Sequence, residues 1–229
     1  MEITTPAPLG QVRIVLDESE ALHVLHPKAI VAFQGRPAQR EDRIMDLANA
    51  YRKRKWVRSR LAGPAELILG LPPGCSLTVI DIPEDSDLMF NFRHVLFYTE
   101  GLRMQSRIQK IKTAWITREW VRMRFSGPGR VGVFASGDLA SVELNPEVPL
   151  YAESGALVAY PERADVRLSV YGNTLASQHM NVQWQLTGRG PALIQVGSPD
   201  PGLAGQLHGD GWFKRLLREV LPFGSVYIK

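Results

Sequence analysis

The residues best equipped for chemistry in this chain are its arginines. Arg58 and Arg60 stand two apart, and so do Arg122 and Arg124, each pair within Trp-Val-Arg-x-Arg. On a strand, residues two apart share a face, so each pair could present two guanidinium groups to a phosphate or another anion. Arg52, Lys53, Arg54 and Lys55 extend the first pair into the densest basic run of the chain, with Trp56 inside it. Basic residues interleaved with an aromatic can hold phosphates and stack a base. A plainer reading competes with this one. Arginines on a strand keep a surface wet while their stems lie over the sheet. Trp120 occupies the place of Trp56 without such a cluster, so core packing accounts for the tryptophan.

Other chemistry is sparse. His23 and His26 form the one close histidine pair among His23, His26, His94, His179 and His208. Positions three apart on a strand point to opposite faces, so this pair would not share a metal. Cys75 is the single cysteine, which excludes an internal disulfide and fits a reducing compartment. It follows Pro-Pro-Gly, with no activating neighbour in sequence, and reads as a quiet structural thiol. Nucleophile-elbow, Walker and dinucleotide fingerprints are missing. Gly127-Pro128-Gly129 and Gly188-Arg189-Gly190 resemble phosphate loops, but they fall in turns between strands rather than at helix N-termini. No catalytic residue, metal ligand or cofactor site is assigned.

The elements that must position the arginines repeat. Trp56 and Trp120 stand 64 positions apart, as do Gly63 and Gly127. Val121, Met123 and Phe125 alternate with Arg122 and Arg124, the period of a half-buried strand. Val57 and Leu61 do the same around Arg58 and Arg60, and Val182, Trp184 and Leu186 around Gln183 and Gln185. Each strand runs into a glycine-rich turn and then a second apolar strand, which predicts three copies of one β-hairpin. Short strands are expected at residues 12–16, 21–26, 29–33, 76–82 and 166–171. A Tyr-containing segment at 94–104 is matched with one at 147–159, which sets Tyr98 beside Tyr151.

Two helices are expected. In residues 37–55, Ile44, Leu47, Ala48 and Tyr51 form an apolar stripe, with acids early and bases late. This predicts a helix near 40–54. In residues 210–221, Trp212, Phe213, Leu216, Leu217 and Val220 form a second stripe, ended by Pro222 and Gly224. Trp212, Phe213, Leu216 and Leu217 are the expected contact to a partner or a second subunit.

The 229 residues, 45% apolar and 22% charged, describe an ordinary globular chain. A net charge of +4 is too small to argue alone for nucleic acid. The acids and prolines of the first thirty residues do not read as a signal peptide, and no apolar run approaches membrane-spanning length. A cytoplasmic location is the expectation. The chain is read as one β-repeat domain over 1–229, with units near 12–117, 118–175 and 176–197 and an extension over 198–229.

The order of these segments resembles a known family. A basic-ended segment at 44–55 precedes the Gly63-Pro64 turn and the Pro73-Gly74 turn. A Tyr strand at 97–101, the Gly127-Pro128-Gly129 turn and the Gly188-to-Gln195 segment follow. The resemblance is to the AIM24 family and spans residues 12–197. It departs at the acidic 84–87 loop, the basic 103–112 segment and the C-terminal helix. The resemblance implies a β-sandwich built by internal repetition, double-stranded-β-helix-like and similar in fold to the tryptophan RNA-binding attenuation protein. It also implies homo-oligomers, trimers among them, and no established catalytic residues. Mitochondrial members are linked to inner-membrane organisation. The expected function is a non-enzymatic, self-assembling scaffold or interaction protein. The alternative is an RNA or anion binder using residues 52–60 with Arg122 and Arg124.

Overall fold

A computed structural model describes residues 1–4, 10–45, 57–109, 114, 121–171 and 181–197. The chain is mainly β. In its first third run β1 (Glu2–Thr4), β2 (Gln11–Leu16), β3 (Ala21–Val24), β4 (Ile30–Gln34), β5 (Arg40–Ile44), β6 (Val57–Ala62) and β7 (Ala65–Gly70). The middle holds β8 (Cys75–Ile82), β9 (Asp87–Asn91), β10 (Val95–Thr99), β11 (Arg103–Ile108), β12 (Val121–Ser126) and β13 (Gly129–Ser136). The last third holds β14 (Leu139–Leu144), β15 (Leu150–Glu153), β16 (Leu157–Pro161), β17 (Asp165–Tyr171), β18 (Asn181–Thr187) and β19 (Gly190–Gln195).

The described residues form four antiparallel sheets, ordered β1-β2-β7-β4, β5-β6-β3-β10-β13-β8, β11-β12-β9-β16-β19-β14 and β15-β18-β17. Adding six to every strand number of the second sheet produces the third. The same step carries β2-β7-β4 to β8-β13-β10 and then to β14-β19-β16. It carries β5-β6-β3 to β11-β12-β9 and then to β17-β18-β15. Each six-stranded sheet therefore joins half of one six-strand set to half of the next.

Among the described residues, three cores lie between successive sheets. Ile14, Leu16, Leu22, Leu61, Leu67 and Phe97 bind the first sheet to the second. Phe90, Tyr98, Met123, Phe125, Val131 and Val158 bind the second to the third. Leu144, Leu157, Leu168, Trp184 and Leu186 bind the third to the fourth. Burying such apolar faces, at about 25 cal/mol per Å², is the main force holding the layers.

The strands flanking each glycine turn are present, but they do not pair as hairpins. β6 lies in the second sheet and β7 in the first; β12 and β13, and β18 and β19, are split in the same way. The turn is a corner between sheets. At Gly63 an added Cβ would lie 1.8 Å from the Asp17 carbonyl oxygen, and Gly127 has φ +87°, so both corners need glycine. Alternation of apolar residues reports which face is buried, not which strand is the neighbour.

The helix expected near 40–54 is corrected at its start: residues 40–44 form β5, paired along β6. Arg43 binds Glu41 at 2.6 Å and Arg40 approaches Asp42 at 3.4 Å, i,i+2 pairs on opposite faces of the strand. Tertiary pairing outweighs the helical stripe. Residues 46–56 and the C-terminal helix expected at 210–221 lie outside the described residues. Tyr98 also changes partner: its counterpart in strand order is Tyr160 of β16, not Tyr151 of β15.

Candidate functional site

β3 pairs with β10, and six strands later β9 pairs with β16. The two joints share one register. Val24, His23 and Leu22 lie opposite Phe97, Tyr98 and Thr99; Phe90, Met89 and Leu88 lie opposite Ala159, Tyr160 and Pro161. The N–H of Glu100 donates to the Ala21 carbonyl, and that of Glu162 to the Asp87 carbonyl, both at 3.1 Å. The arginines sit beside these joints, on β6 and β12.

Their side chains turn inward to the joints. Arg58 donates to the Tyr98 hydroxyl at 2.8 Å. Arg122, buried, donates to the Tyr160 hydroxyl and lies 5.0 Å from that ring's centre and 4.4 Å from that of Trp184. A guanidinium held between two aromatic faces is favourable where water is excluded. Arg60 grips Glu100 through both oxygens, at 2.8 and 2.9 Å. Arg124 donates to Asp87 at 2.6 Å and pairs with Glu162 at 2.8 Å. Arg60 hydrogen bonds hold the Glu100 carboxyl below its usual range; Ser126 and then Arg124 do so for Asp87. The stripe expected to meet anions is thus engaged within the fold, Arg60 and Arg124 by carboxylates and Arg58 and Arg122 by tyrosine hydroxyls. Arg52, Lys53, Arg54 and Lys55 lie outside the described residues, as do Trp212, Phe213, Leu216 and Leu217.

The described histidines, His23, His26 and His94, are also built in. His23 stacks on Tyr98 with ring centres 4.8 Å apart, and His26 lies 5.2 Å from Phe92. Burial, then Arg58, lowers His23 to about 4. His94 lines a cleft of about 220 Å³ with Pro72, Cys75, Arg93, Phe134 and Gln195. Its Nδ1 meets the Phe134 carbonyl at 3.0 Å, and Arg93 Nε donates to its Nε2 at 3.2 Å. With Nδ1–H donating and Nε2 accepting, both ring nitrogens are engaged. Burial, then Arg93, lowers this ring to about 4 as well, so it stays neutral. Gln195 ties the Ser136 N–H to the Gly155 carbonyl across the same cleft. Arg93, His94 and Gln195 are thus each hydrogen-bonded within the fold. Among the described residues, no group of three or more His, Cys, Asp or Glu side chains could hold a metal ion.

Sequence reasoning missed the open strand edges. β4 and β15 stand at the ends of their sheets, each with a free side among the described strands. β4 reads Ile-Val-Ala-Phe-Gln and is the one edge strand among the described residues without a charged side chain. Long apolar edges are usually blunted by charge or proline, because an unpaired edge templates association.

The family model described as "Mitochondrial biogenesis AIM24" matches residues 10–198. The chain belongs to the AIM24 family. The crystal structure of protein SPYM3_0169 from Streptococcus pyogenes is similar, with a TM-score of 0.66 at 14% identity, covering 96% of this chain and 98% of that one. At that identity the likeness concerns the fold alone. No curated protein matches significantly. No helix among the described residues of this AIM24-family chain is long and apolar enough to cross a membrane.

Proposed function

We propose that this AIM24-family protein is a non-enzymatic, cytoplasmic β-repeat scaffold that self-assembles and presents its sheets to partners. The reading takes the three six-strand sets as copies of one unit. The observation that carries it is the uncharged, apolar free edge of β4. Leaving such an edge in water invites association. The internal engagement of Arg58, Arg60, Arg122 and Arg124 supports an architectural role for the arginine face. Light scattering at micromolar concentration is expected to give a multiple of the 25.6 kDa chain mass. A strict monomer contradicts the reading.

The anion-binding alternative keeps Arg52, Lys53, Arg54 and Lys55 as its remaining cations. It requires retention on heparin or RNA that weakens steeply with salt.

A further inference from the structure

β1 lies along the outer edge of β2, with Glu2 opposite Val15, Ile3 opposite Ile14 and Thr4 opposite Arg13. Strand order makes β8 and β14 the counterparts of β2. Among the described strands, neither has a neighbour on that outer side. We propose that the outer edge of β14 receives an extended peptide from a partner protein, added antiparallel in the register that β1 holds on β2, with a basic residue opposite Glu143 and an apolar one opposite Val142. The inference rests on the reading above that the scaffold presents its sheets to partners, and it names the edge and the partner's chemistry.

The inner ladders set the three edges in one register. Leu16 lies opposite Ala65, Ile82 opposite Gly129 and Leu144 opposite Gly190, in each case the first strand residue after a glycine corner. Counting back along each strand, Val15 matches Asp81 and Glu143, Ile14 matches Ile80 and Val142, and Arg13 matches Val79 and Ser141. A strand laid on β14 as β1 lies on β2 therefore places the counterpart of Glu2 opposite Glu143. The counterparts of Ile3 and Thr4 fall opposite Val142 and Ser141.

Burial shows what the added strand covers. Leu16, Ile82 and Leu144 are 2%, 2% and 4% exposed, so the three edges bury this end alike. They differ at the position that β1 flanks. Ile14, with Ile3 beside it on the same core, is 0% exposed, while Val142 is 36% exposed. Ile80 falls between them, half-buried against the central core. An apolar side chain opposite Val142 would do there what Ile3 does at Ile14, and the main-chain ladder would supply the rest of the contact.

Charge decides which strand fits. In this register a copy of β1 itself would set Glu2 opposite Glu143 on β14, or opposite Asp81 on β8. Like charges directly opposed are destabilising, so both acids keep such a copy off these edges. On β8, Asp81 already faces Arg130 across the inner ladder. On β14, Glu143 faces Pro191 instead, is exposed, and has no cation partner among the described residues; its Oε1 accepts from the Gly190 N–H at 2.9 Å. A lysine or arginine on the added strand is the cross-strand complement that Glu143 lacks. The partner is therefore a strand reading basic, apolar, then small and polar, the last opposite Ser141 as Thr4 is opposite Arg13.

The test uses the full chain and two terminally blocked peptides, Met-Lys-Ile-Thr-Val-Thr and Met-Glu-Ile-Thr-Val-Thr, labelled for fluorescence anisotropy. The lysine peptide is expected to bind about five- to tenfold more tightly than the glutamate peptide, with the gap narrowing as salt is raised. Glu143→Lys, at an exposed site, is expected to reverse that preference without lowering the melting temperature. Directly opposed antiparallel residues lie about 4.5–5.5 Å apart at Cα, within disulfide reach. In a Cys75→Ser background, Val142→Cys is therefore expected to crosslink on oxidation to a lysine peptide carrying cysteine in place of isoleucine. Glu143→Cys, which faces the other side of the strand, is expected to stay uncrosslinked. A lysine peptide that does not bind, or whose binding ignores Glu143→Lys, overturns this site. If the chain is still an oligomer by light scattering, that result leaves the self-assembly reading standing. A strict monomer that binds the lysine peptide and obeys the charge reversal upholds the site and removes self-assembly alone.

Discussion

The joints at β3·β10 and β9·β16 share a backbone register and differ in what fills it. On the outer side of the first, Phe97 of β10 lies opposite Gly132 of β13; on the outer side of the second, Ala159 of β16 lies opposite Leu193 of β19. A Cβ added at Gly132 would lie 2.2 Å from the Phe97 ring. Bulk sits on one strand in one joint and on the neighbouring strand in the other. The free β4 edge follows the second pattern, with Ala32 opposite Ile68. The first joint stacks a histidine on its tyrosine and leaves Arg58 half-buried; the second sets Met89 opposite Tyr160 and buries Arg122 against two rings. One backbone arrangement therefore accepts two different solutions for volume and charge, provided each is complementary across the pair.

The largest effect is expected from breaking that volume match. Phe97→Ala should cost about 3–5 kcal/mol in chemical denaturation. Adding Gly132→Leu, which copies the second joint, should recover a substantial part of it, giving a coupling of about 1–3 kcal/mol in the double-mutant cycle. Simple additivity would show that the two positions do not share one volume. Arg122→Ala should follow, at about 2–4 kcal/mol, since it removes a buried cation from two rings and leaves the Tyr160 hydroxyl without this donor. Arg58→Ala, half-buried and bonded to one hydroxyl, should cost about 1 kcal/mol or less. Equal losses would erase the contrast between the joints.

Acid sharpens the contrast more gently. His23 titrates at about 4 in the fold and near 6.5 when unfolded. The unfolded chain then binds more protons across that window, so stability falls as pH drops from 6.5 towards 4. His23→Met, which copies Met89, should flatten this fall by roughly 1–3 kcal/mol in pH-dependent denaturation. The remaining slope belongs in part to His94, and below about 4.5 to lowered carboxyls such as Glu100 and Asp87. An unchanged slope in His23→Met would place the acid sensitivity elsewhere.

Much of the strand content was legible in the chain. Val121, Met123 and Phe125 alternate and are buried, and glycine marks the corners. The pairing was not legible, because a period of two names a face and says nothing of which strand lies alongside. The segment around Ile44 shows the opposite failure: a helical stripe was present, but its first residues find ladder partners on β6. The arginine face misled for a related reason. Glu100 lies 40 positions from Arg60, and Tyr160 lies 38 from Arg122, so the groups that consume the cations are invisible locally. The free edges emerge only from strand order, since Ile-Val-Ala-Phe reads in sequence like any buried strand.

The claim on which the account turns is that the uncharged edge of β4 becomes covered when copies assemble. Hydrogen–deuterium exchange at rising protein concentration tests it most directly. Amides of residues 30–34 should gain protection as concentration rises, while those of the charged edges β5 and β11 stay unchanged. Exchange at residues 30–34 that stays the same at every concentration would contradict it.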